Sequence, residues 1–515
     1  MPPHVHVHPD GTSLRDPSRL FYQSDYIRRL IIASYWLFII AAIPLWWHIT
    51  SIERLSLPTA RVHAQAANHL RFPVQIQLEN VQDPSISTSL QKLLDDRIHK
   101  SQGLDVQVRH QNDPANPIDS YVVRAAEGVP SANERHLTHP VRPATLSKLA
   151  DLLTLLLVPP TDAHRVAQYS PRYRLAFTLL NEDAAAGGAI SGWDISGAIS
   201  RHLSPLLTPL SVLHNFTIES QVQFHAPLAF SPTSLHDGSS YGLTPEDLTV
   251  FVNSAEWSLS SSVSNDPVLH FIVFVPSASR RPLKILDSNG LPSSSNAFLL
   301  PQWGGIVIYN PPSVESELQQ DTNANAPLPP SALHALFSTF ATQLLSLLGV
   351  PNLPPDISIA SASTSTTQKI PSDLQTTDAL TGWQLDALLR RRTSENAKGA
   401  YDTLQSIVKL VDQIENMPVG EDVRGDVLDS LSALEELYTP SLPLPSTLHH
   451  SSTALTLASR AFFSPKMLAL LYFPAEHKYA VYSPLFASAT IPLAAAAIRE
   501  VVAWRKQRTE AVGVQ

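Results

Sequence analysis

Two long apolar runs, one near each end of the chain, dominate its hydrophobic pattern. The first, residues 30–52, reads LIIASYWLFIIAAIPLWWHITSI and contains no Asp, Glu, Lys or Arg. At about 1.5 Å rise per residue, such a helix crosses a hydrocarbon core of about 30 Å. The second, residues 479–498, is richer in alanine and is interrupted by Pro484 and Pro492. The pattern therefore predicts two transmembrane helices, at 30–52 and 479–498.

Two other interpretations of these runs stay open: a cleaved signal peptide for the first and a buried core helix for the second. The first run is longer than a usual signal core and ends in a Trp-Trp pair, which is typical of a membrane boundary. An Arg-Arg pair precedes it, and basic residues follow the second run from Arg499 onward. The positive-inside rule then makes the tails 1–29 and 499–515 cytosolic and places the intervening residues in a lumen or outside.

Between the runs, strand-like alternation and helix-like spacing follow one another, which is typical of α/β folds. Residues 72–109 read strand–helix–strand, and the same order recurs at 173–224, so a diverged internal duplication is one interpretation. Strands are predicted at 72–78, 104–109, 119–125, 173–181, 215–224, 268–275, 283–286 and 305–309, and helices at 86–99, 145–157, 193–213, 245–257 and 331–349.

The pattern changes in the last third of the chain. From 383 to 414, apolar residues recur every three or four positions, which predicts a long amphipathic helix before further helices at 421–438 and 446–463. The predicted fold class is an α/β lumenal region followed by a helical bundle, flanked by two transmembrane helices. In chain order, the predicted regions are a cytosolic tail (1–29), a transmembrane helix (30–52), a lumenal α/β region (53–350), a linker (351–376), a lumenal helical region (377–475), a second transmembrane helix (479–498) and a cytosolic tail (499–515).

Composition excludes several classes of binding and catalytic site. The net charge of -9 argues against a nucleic-acid-binding protein. The 515 residues contain no cysteine, which excludes disulfides, thiolate metal sites and a cysteine nucleophile within them. His4, His6 and His8 alternate with valine, but a disordered tail explains them better than a metal site. Since common hydrolase, zinc-protease and nucleotide-binding motifs are absent too, the sequence predicts no catalytic residue, metal ligand or cofactor.

Two short segments carry specific expectations. Asn215 begins an Asn-Phe-Thr sequon inside the predicted lumenal region, so it is the predicted N-glycosylation site. Trp303, Gly304 and Gly305 form a candidate structural motif. The two glycines suit either the close approach of a partner's backbone or a tight turn before a strand.

Several segments resemble the PIG-S family, whose members are subunits of the GPI transamidase of the endoplasmic reticulum. The similar segments follow the family's order along nearly the whole chain, with both predicted membrane helices in place. They are PLWWHITSIERLSLP (44–58), YRLAFTLLN (173–181), NFTIESQVQF (215–224), NAFLLPQWGGIVIYNP (296–311), GWQLDALLRRRTSENAKGAYDTL (382–404) and SRAFFSPKMLALLYFPAEHKYAVYSPLF (459–486). The N-terminal tail and the stretches 311–330 and 358–376 look particular to this chain.

The resemblance implies a role. The GPI transamidase removes a C-terminal hydrophobic peptide from a proprotein and joins the new carboxyl end to a GPI lipid, by acyl transfer through a thioester. Since this chain has no cysteine, the Cys/His pair belongs to another subunit, and the resemblance implies a non-catalytic, membrane-anchored scaffold.

The resemblance also implies partners and a location. The partners are the caspase-like catalytic subunit PIG-K, PIG-T, PIG-U and a Gaa-type subunit, together with the membrane, the proprotein and the GPI lipid; no nucleic acid is expected. The location is the endoplasmic reticulum membrane, with two spans, a lumenal bulk and both termini cytosolic.

Two other functions stay open on the residues alone. The α/β region would also suit a lumenal serine-type hydrolase anchored at both ends, although a fold does not determine a function. The two anchors would also suit an adaptor of the endoplasmic reticulum membrane, for trafficking or lipid binding, that is unrelated to GPI. A serine-directed probe and co-purification with transamidase subunits distinguish these functions from the scaffold.

Overall fold

The computed structural model describes residues 24–50, 53–98, 103–110, 120–160, 166–235, 240–253, 257, 259, 264–312, 326–359, 380–414, 417–439, 442–469 and 475–512. The histidines of the N-terminal tail and most of 311–330 and 358–376 lie outside these residues. The chain divides into two compact units. The terminal unit comprises Met1–Thr59, Thr403–Leu428 and Ser459–Gln515, and the α/β unit comprises Ala60–Asp402 and Asp429–Ala458.

The helices are numbered in chain order. They are α1 (Asp25–Thr50), α2 (Thr59–Ala64), α3 (Ser85–Arg97), α4 (Leu146–Leu157), α5 (Ile195–Ala198), α6 (Ser204–Leu210), α7 (Pro245–Val250), α8 (Pro330–Leu348), α9 (Gly382–Gln413), α10 (Glu421–Glu436), α11 (Leu444–Phe462), α12 (Pro465–Ala469) and α13 (Ala475–Val512). Short 3₁₀ turns lie at Gln65–Ala67, Ala184–Ala186 and Ala278–Arg280, and a π-helical segment, Ile199–Leu203, joins α5 to α6.

The strands are numbered in the same way. They are β1 (Phe72–Glu79), β2 (Leu104–His110), β3 (Ser120–Ala125), β4 (Ser131–Asn133), β5 (His136–His139), β6 (Arg172–Asn181), β7 (Asn215–Gln223), β8 (Thr233–Ser234), β9 (Tyr241–Leu243), β10 (Val268–Val275), β11 (Leu283–Ile285), β12 (Ala297–Leu300), β13 (Gly304–Ile308) and β14 (Ser358–Ile359).

The first sheet of the α/β unit has the strand order β14-β4-β5-β3-β1-β2. Along β1, every second side chain from Phe72 to Leu78 is buried and the others are not, as expected of a strand with one covered face. The buried face packs with α3 and α4 in one core that also contains Trp383. The strand–helix–strand predicted at 72–109 is confirmed, and β1 pairs in parallel with β2.

The second sheet has the order β12-β13-β10-β6-β7 and is parallel except for β12. Its central strands, β6 and β10, are buried along nearly their whole length, which explains their continuous apolar sequences. One face packs against α8 and the α5–α6 helix. The other face packs against the small β11-β9-β8 sheet and Phe251, which follows α7.

Both strand–helix–strand segments therefore end in a parallel pair, β1 with β2 and β6 with β7. A right-handed crossover helix between parallel strands is the usual way to build such a pair. Because any two units of this kind share this arrangement, the internal duplication stays a prediction.

Two predicted helices differ from the structure. The helix expected at 193–213 spans only α5 to α6, and its middle widens into the π-helical segment just before Pro205, which cannot donate a backbone hydrogen bond. The helix expected at 245–257 ends at Val250. The aromatic ring of Phe251 packs into the core directly after the last helical residue. Residues 254–256 lie outside the described part.

The helical C-terminal region agrees closely with its prediction. The long amphipathic helix α9 begins at Gly382, one residue before the predicted start. Helices α10 and α11 are joined by a hydrogen bond from the Ser430 hydroxyl to the Ala454 carbonyl (2.8 Å) within the α/β unit. In the terminal unit, Asp426 accepts an N–H from Arg460 Nε at 2.8 Å. The two helices thus form a hairpin.

Three helices among the described residues are long and apolar enough to cross a membrane: Tyr26–His48, Pro330–Leu348 and Ala480–Lys506. Half of the middle one is buried in the core of the second sheet, where Phe337, Phe340 and Leu344 are inaccessible. The first and the last bury none of their apolar window. Packing thus explains the apolar side chains of α8, whereas those of α1 and α13 suit a lipid environment.

Candidate functional site

The Trp303-Gly304-Gly305 segment is a turn followed at once by a strand, since β13 begins at Gly304, beside His270 of β10. A Cβ at Gly304 would lie 2.0 Å from the His270 carbonyl oxygen. One at Gly305 would lie 2.0 Å from Oε1 of Gln343. Glycine is required at position 304 because the chain's own backbone occupies the space, and it is favoured at position 305 because the end of the Gln343 side chain lies there. The close approach is therefore one within the α/β unit.

Trp303 covers His270. Their rings stack with centroids 4.6 Å apart and an angle of 24° between the planes. Burial, aided by the nearby Arg174 guanidinium and opposed by Glu219, lowers the pKa of His270 to about 4. The imidazole is consequently neutral at neutral pH. A neutral ring under an indole stabilises the start of β10 and β13 by stacking.

Asn215 opens β7, which is the edge strand of the second sheet. Asn215 and Thr217 of the sequon are both exposed. A glycan at this position would project from the edge of the sheet without displacing packed side chains.

The first turns of α9 place charged side chains in the core of the α/β unit. Trp383 is fully buried, with its ring centroid 4.2 Å from that of Tyr121. Asp386 is 2% exposed and accepts hydrogen bonds from Arg135 Nε (2.7 Å), from Arg135 Nη2 (3.0 Å) and from the Tyr121 hydroxyl (2.8 Å). Arg390 donates from Nη1 to the same hydroxyl at 2.7 Å. We call Tyr121, Arg135, Trp383, Asp386 and Arg390 the α9 hub.

Burial raises the pKa of the Tyr121 phenol, and the charge of Arg390 only partly opposes that rise. The phenol therefore stays protonated, and it donates to Asp386 while accepting from Arg390. Asp386, Tyr121 and Arg135 thus hydrogen-bond to one another, as the members of a structural network do. Among the described residues, no group of three His, Asp or Glu side chains could hold a metal ion.

Arg392, two residues after Arg390, donates hydrogen bonds at the carboxyl end of α8. Arg392 is 3% exposed and donates from Nη2 to the carbonyls of Ala167 and Leu348, each at 3.0 Å. Leu348 ends α8, where the last carbonyls have no partner inside the helix. Successive residues of a helix point about 100° apart. The neighbouring arginines can therefore meet different partners.

In the terminal unit, α1 and α13 pack antiparallel. Trp46, near the end of α1, meets Phe486, near the start of α13, with ring centroids 5.3 Å apart. At the other end, Glu500 of α13 pairs with Arg28 and with Arg29, the latter at 3.1 Å. The aromatic contact and the ion pairs hold the two apolar helices side by side.

The comparison with family models decides the identity of the chain. The model described as "Phosphatidylinositol-glycan biosynthesis class S protein", PIG-S, matches residues 33–142 and 158–507. The chain belongs to the PIG-S family. The match includes the apolar helices near both ends and both sheets, as the sequence resemblance predicted.

Individual members of the PIG-S family agree with this. The chain is 33% identical over 356 residues to the human "GPI-anchor transamidase component PIGS", and this alignment covers 67% of this chain and 60% of the human protein. The mouse protein of the same name is 33% identical over 338 residues, 65% of this chain and 58% of the relative. The chain thus spans about three fifths of the mammalian relatives. The "GPI transamidase component PIG-S homolog" of Schizosaccharomyces pombe is 28% identical over 515 residues, and the alignment covers 94% of this chain and 85% of that protein.

Three residues of the α9 hub, Trp383, Asp386 and Arg390, lie inside a stretch that resembles the PIG-S family, 382–404, but the sequence pattern assigned them no role. The sequence did contain an indication of these charged core residues. Asp386 and Arg390 lie four residues apart on a helix whose leucines are predicted to be buried. Charged residues on a buried face require partners. Their partners, Tyr121 and Arg135, lie more than 200 residues earlier and could not be inferred.

Proposed function

We propose that this chain is a non-catalytic, membrane-anchored scaffold subunit of a GPI transamidase, which replaces the C-terminal signal peptide of proproteins with a GPI anchor. The observation that carries the proposal is membership of the PIG-S family, with relatives named as GPI transamidase components. The 515 residues contain no cysteine, so a thioester intermediate would form on another chain. The hydrogen bonds within the α9 hub support a structural rather than a catalytic role.

The proposed partners are the other subunits of that complex: a caspase-like PIG-K subunit, PIG-T, PIG-U and a Gaa-type subunit. The proprotein and the GPI lipid are substrates of the complex as a whole. The human and fission-yeast relatives, each named as a component of such an enzyme, support the assignment of subunit partners.

The proposed topology has two membrane spans, at 30–52 and 479–498, in the endoplasmic reticulum membrane. The tails 1–29 and 499–515 are cytosolic, and residues 53–477 lie in the lumen, with a linker at 351–376. The antiparallel contact of α1 with α13 supports termini on one side of the membrane, since Glu500 meets Arg28 and Arg29. The basic residues at that end favour the cytosol.

Loss of the chain is the direct test of its function. We expect cells from which it is deleted to accumulate uncleaved GPI proproteins, because the complex would not assemble around its catalytic subunit. The measurement is the ratio of uncleaved to anchored reporter protein, with the wild-type chain restored as the control. A detergent pull-down of the tagged chain should recover the other subunits in fixed ratio. Normal anchoring in a clean deletion would overturn the scaffold function.

The topology predicts that Asn215 carries an N-glycan. The Asn215→Gln variant should migrate faster on a gel than the wild type by the mass of one glycan, and endoglycosidase treatment of the wild type should give the same migration. The reason is that N-glycans are added only on the lumenal side of the membrane, where the topology places the sequon. Asn289→Gln is the matched control, since Asn289 is exposed but is followed by Gly290 and Leu291 and forms no sequon. A wild-type chain whose mobility no glycosidase changes would contradict a glycosylated Asn215.

A further inference from the structure

A basic cavity adjoins the α9 hub within the α/β unit. It has a volume of about 780 Å³ and lies among the start of α9, the residues before β1 and the chain after α8. Arg71, Arg390 and Arg391 line it, together with the hydroxyl-bearing Ser394. Three guanidinium groups around one cavity are notable in a chain whose net charge is -9.

The single carboxylate in the described lining does not balance this charge. Glu395 accepts hydrogen bonds from Arg391 Nε (2.7 Å) and from Arg392 Nη1 (2.9 Å). Arg392 does not line the cavity, and its charge already matches that of Glu395. The lining therefore keeps an excess of positive charge.

Arg390 is the buried member of the group, at 5% exposure. The carboxylate of Asp386, one turn earlier, already receives two hydrogen bonds from Arg135. Arg390 donates to the neutral Tyr121 hydroxyl, and its Nη2 has no hydrogen-bond partner among the described residues. Guanidinium groups stay protonated in proteins, and a buried charge without a counter-charge is strongly unfavourable. An anion in the adjoining cavity would supply that counter-charge.

The remaining lining indicates what kind of anion fits. It is largely apolar and includes Leu104, Leu157, Pro159 and Leu388. Pockets of this size hold small organic molecules rather than a single inorganic ion. Guanidinium groups bind both carboxylate and phosphate oxygens in pairs of parallel hydrogen bonds. Three guanidinium groups around one cavity favour the nearly doubly charged phosphate over a singly charged carboxylate.

We propose that this cavity binds a phosphate group, with Arg71, Arg390 and Arg391 as its cationic ligands and the apolar lining holding an attached organic part. Arg391 offers Nη1, which has no hydrogen-bond partner among the described residues, and Ser394 offers a hydroxyl donor. The site does not depend on the scaffold function, because it lies on this chain alone.

Calorimetric titration of the purified full chain in a phosphate-free detergent tests the site. The probes are inorganic phosphate, O-phosphoethanolamine and mannose 6-phosphate, with acetate at equal ionic strength as the anion control. Arg71→Gln and Arg391→Gln should each weaken binding about tenfold or more, since a hydrogen bond to a charged group is lost. Arg172→Gln is the matched control, because Arg172 is exposed on the second sheet and does not line the cavity. If the Arg390→Gln variant has the same melting temperature as the wild type, it should also bind the phosphate probes more weakly, and it is then the stronger test because Arg390 is the buried arginine.

The outcomes separate the sources of phosphate. Tighter binding of the two esters identifies an organic phosphate as the occupant and supports the whole proposal. Equal affinities identify free phosphate, which supports the three arginines as ligands but overturns the bound organic part. The proposal is overturned if no probe binds, if acetate binds as well as phosphate, or if Arg71→Gln and Arg391→Gln bind like the Arg172→Gln control.

Discussion

Replacing Gly304 with alanine is expected to unfold the second sheet or to destabilise it by about 4 kcal/mol or more, the range of backbone clashes that cannot relax. The added methyl group would lie 2.0 Å from the His270 carbonyl oxygen and 2.8 Å from the His270 nitrogen. Both are backbone atoms of the central strand β10, so no side-chain rotation removes the clash. The measurements are the thermal midpoint of the purified chain and the yield of associated subunits in a pull-down.

Gly305→Ala provides a graded comparison. Its methyl group would meet the end of the Gln343 side chain, whose Nε2 donates to the Phe298 carbonyl at 3.0 Å. The side chain can move at the cost of that hydrogen bond, about 1–3 kcal/mol for a buried group. The double variant Gly305→Ala with Gln343→Ala should therefore recover part of the loss.

Gly192→Ala is the matched control, since an added Cβ there meets nothing within 4 Å and the residue has an ordinary φ. We expect its thermal midpoint to equal that of the wild type. If Gly304→Ala were as stable as Gly192→Ala, the close pairing of β10 with β13 would be wrong.

Asp386→Ala is expected to destabilise the α/β unit by about 3–5 kcal/mol, the usual effect of removing one partner of a buried ion pair. The carboxylate accepts three hydrogen bonds, two from Arg135 and one from Tyr121. Without it, Arg135 loses its ion-pair partner and the buried Arg390 loses the carboxylate nearest to it in the network. Unfolding of the full chain in denaturant, followed by tryptophan fluorescence, measures the loss, and the buried Trp383 is one of the eight tryptophans that report it.

Asp422→Ala is the matched control for this change. Asp422 also loses an ion pair, with Lys466, but both side chains are about 70% exposed, so water replaces the partner and stability should scarcely change. Adding Arg390→Met to Asp386→Ala should restore part of the stability, because it removes one uncompensated charge and keeps the volume. If the second substitution only added to the loss, the buried charge would not be the cause.

These two predictions concern segments that the resemblance to the PIG-S family had already singled out, 296–311 and 382–404. The structure supplies their physical content. In the first segment, turn and strand leave no room for side chains at Gly304 and Gly305. In the second, the start of α9 contributes Trp383 to the core of the first sheet and Leu388 and Leu389 to the core of the second. The segment thus joins two cores as well as beginning a helix.

The amino-acid pattern predicts the longer helices and strands, because the period of apolar residues is a local property that backbone geometry fixes. It located β1, β6, β10 and α9 to within a few residues. It also found both apolar terminal helices, but α1 begins five residues before the predicted start and α13 continues to Val512, well beyond the predicted end at 498. Among the described strands it missed β4, β5, β8, β9, β12 and β14, of two to four residues each, because strands so short show no alternation. It extended α7 too far, because the burial of Phe251 overrides helical spacing.

Tertiary structure alone decided which elements meet. Nothing local to Tyr121 or Arg135 indicates that Asp386, some 250 residues later, shares their core. The same holds for the two sheets, whose strand order follows from contacts between distant segments. It also holds for the basic cavity, whose three arginines come from the approach to β1 and from α9. Periodicity records which side of an element is buried, whereas the partner on that side depends on the path of the whole chain.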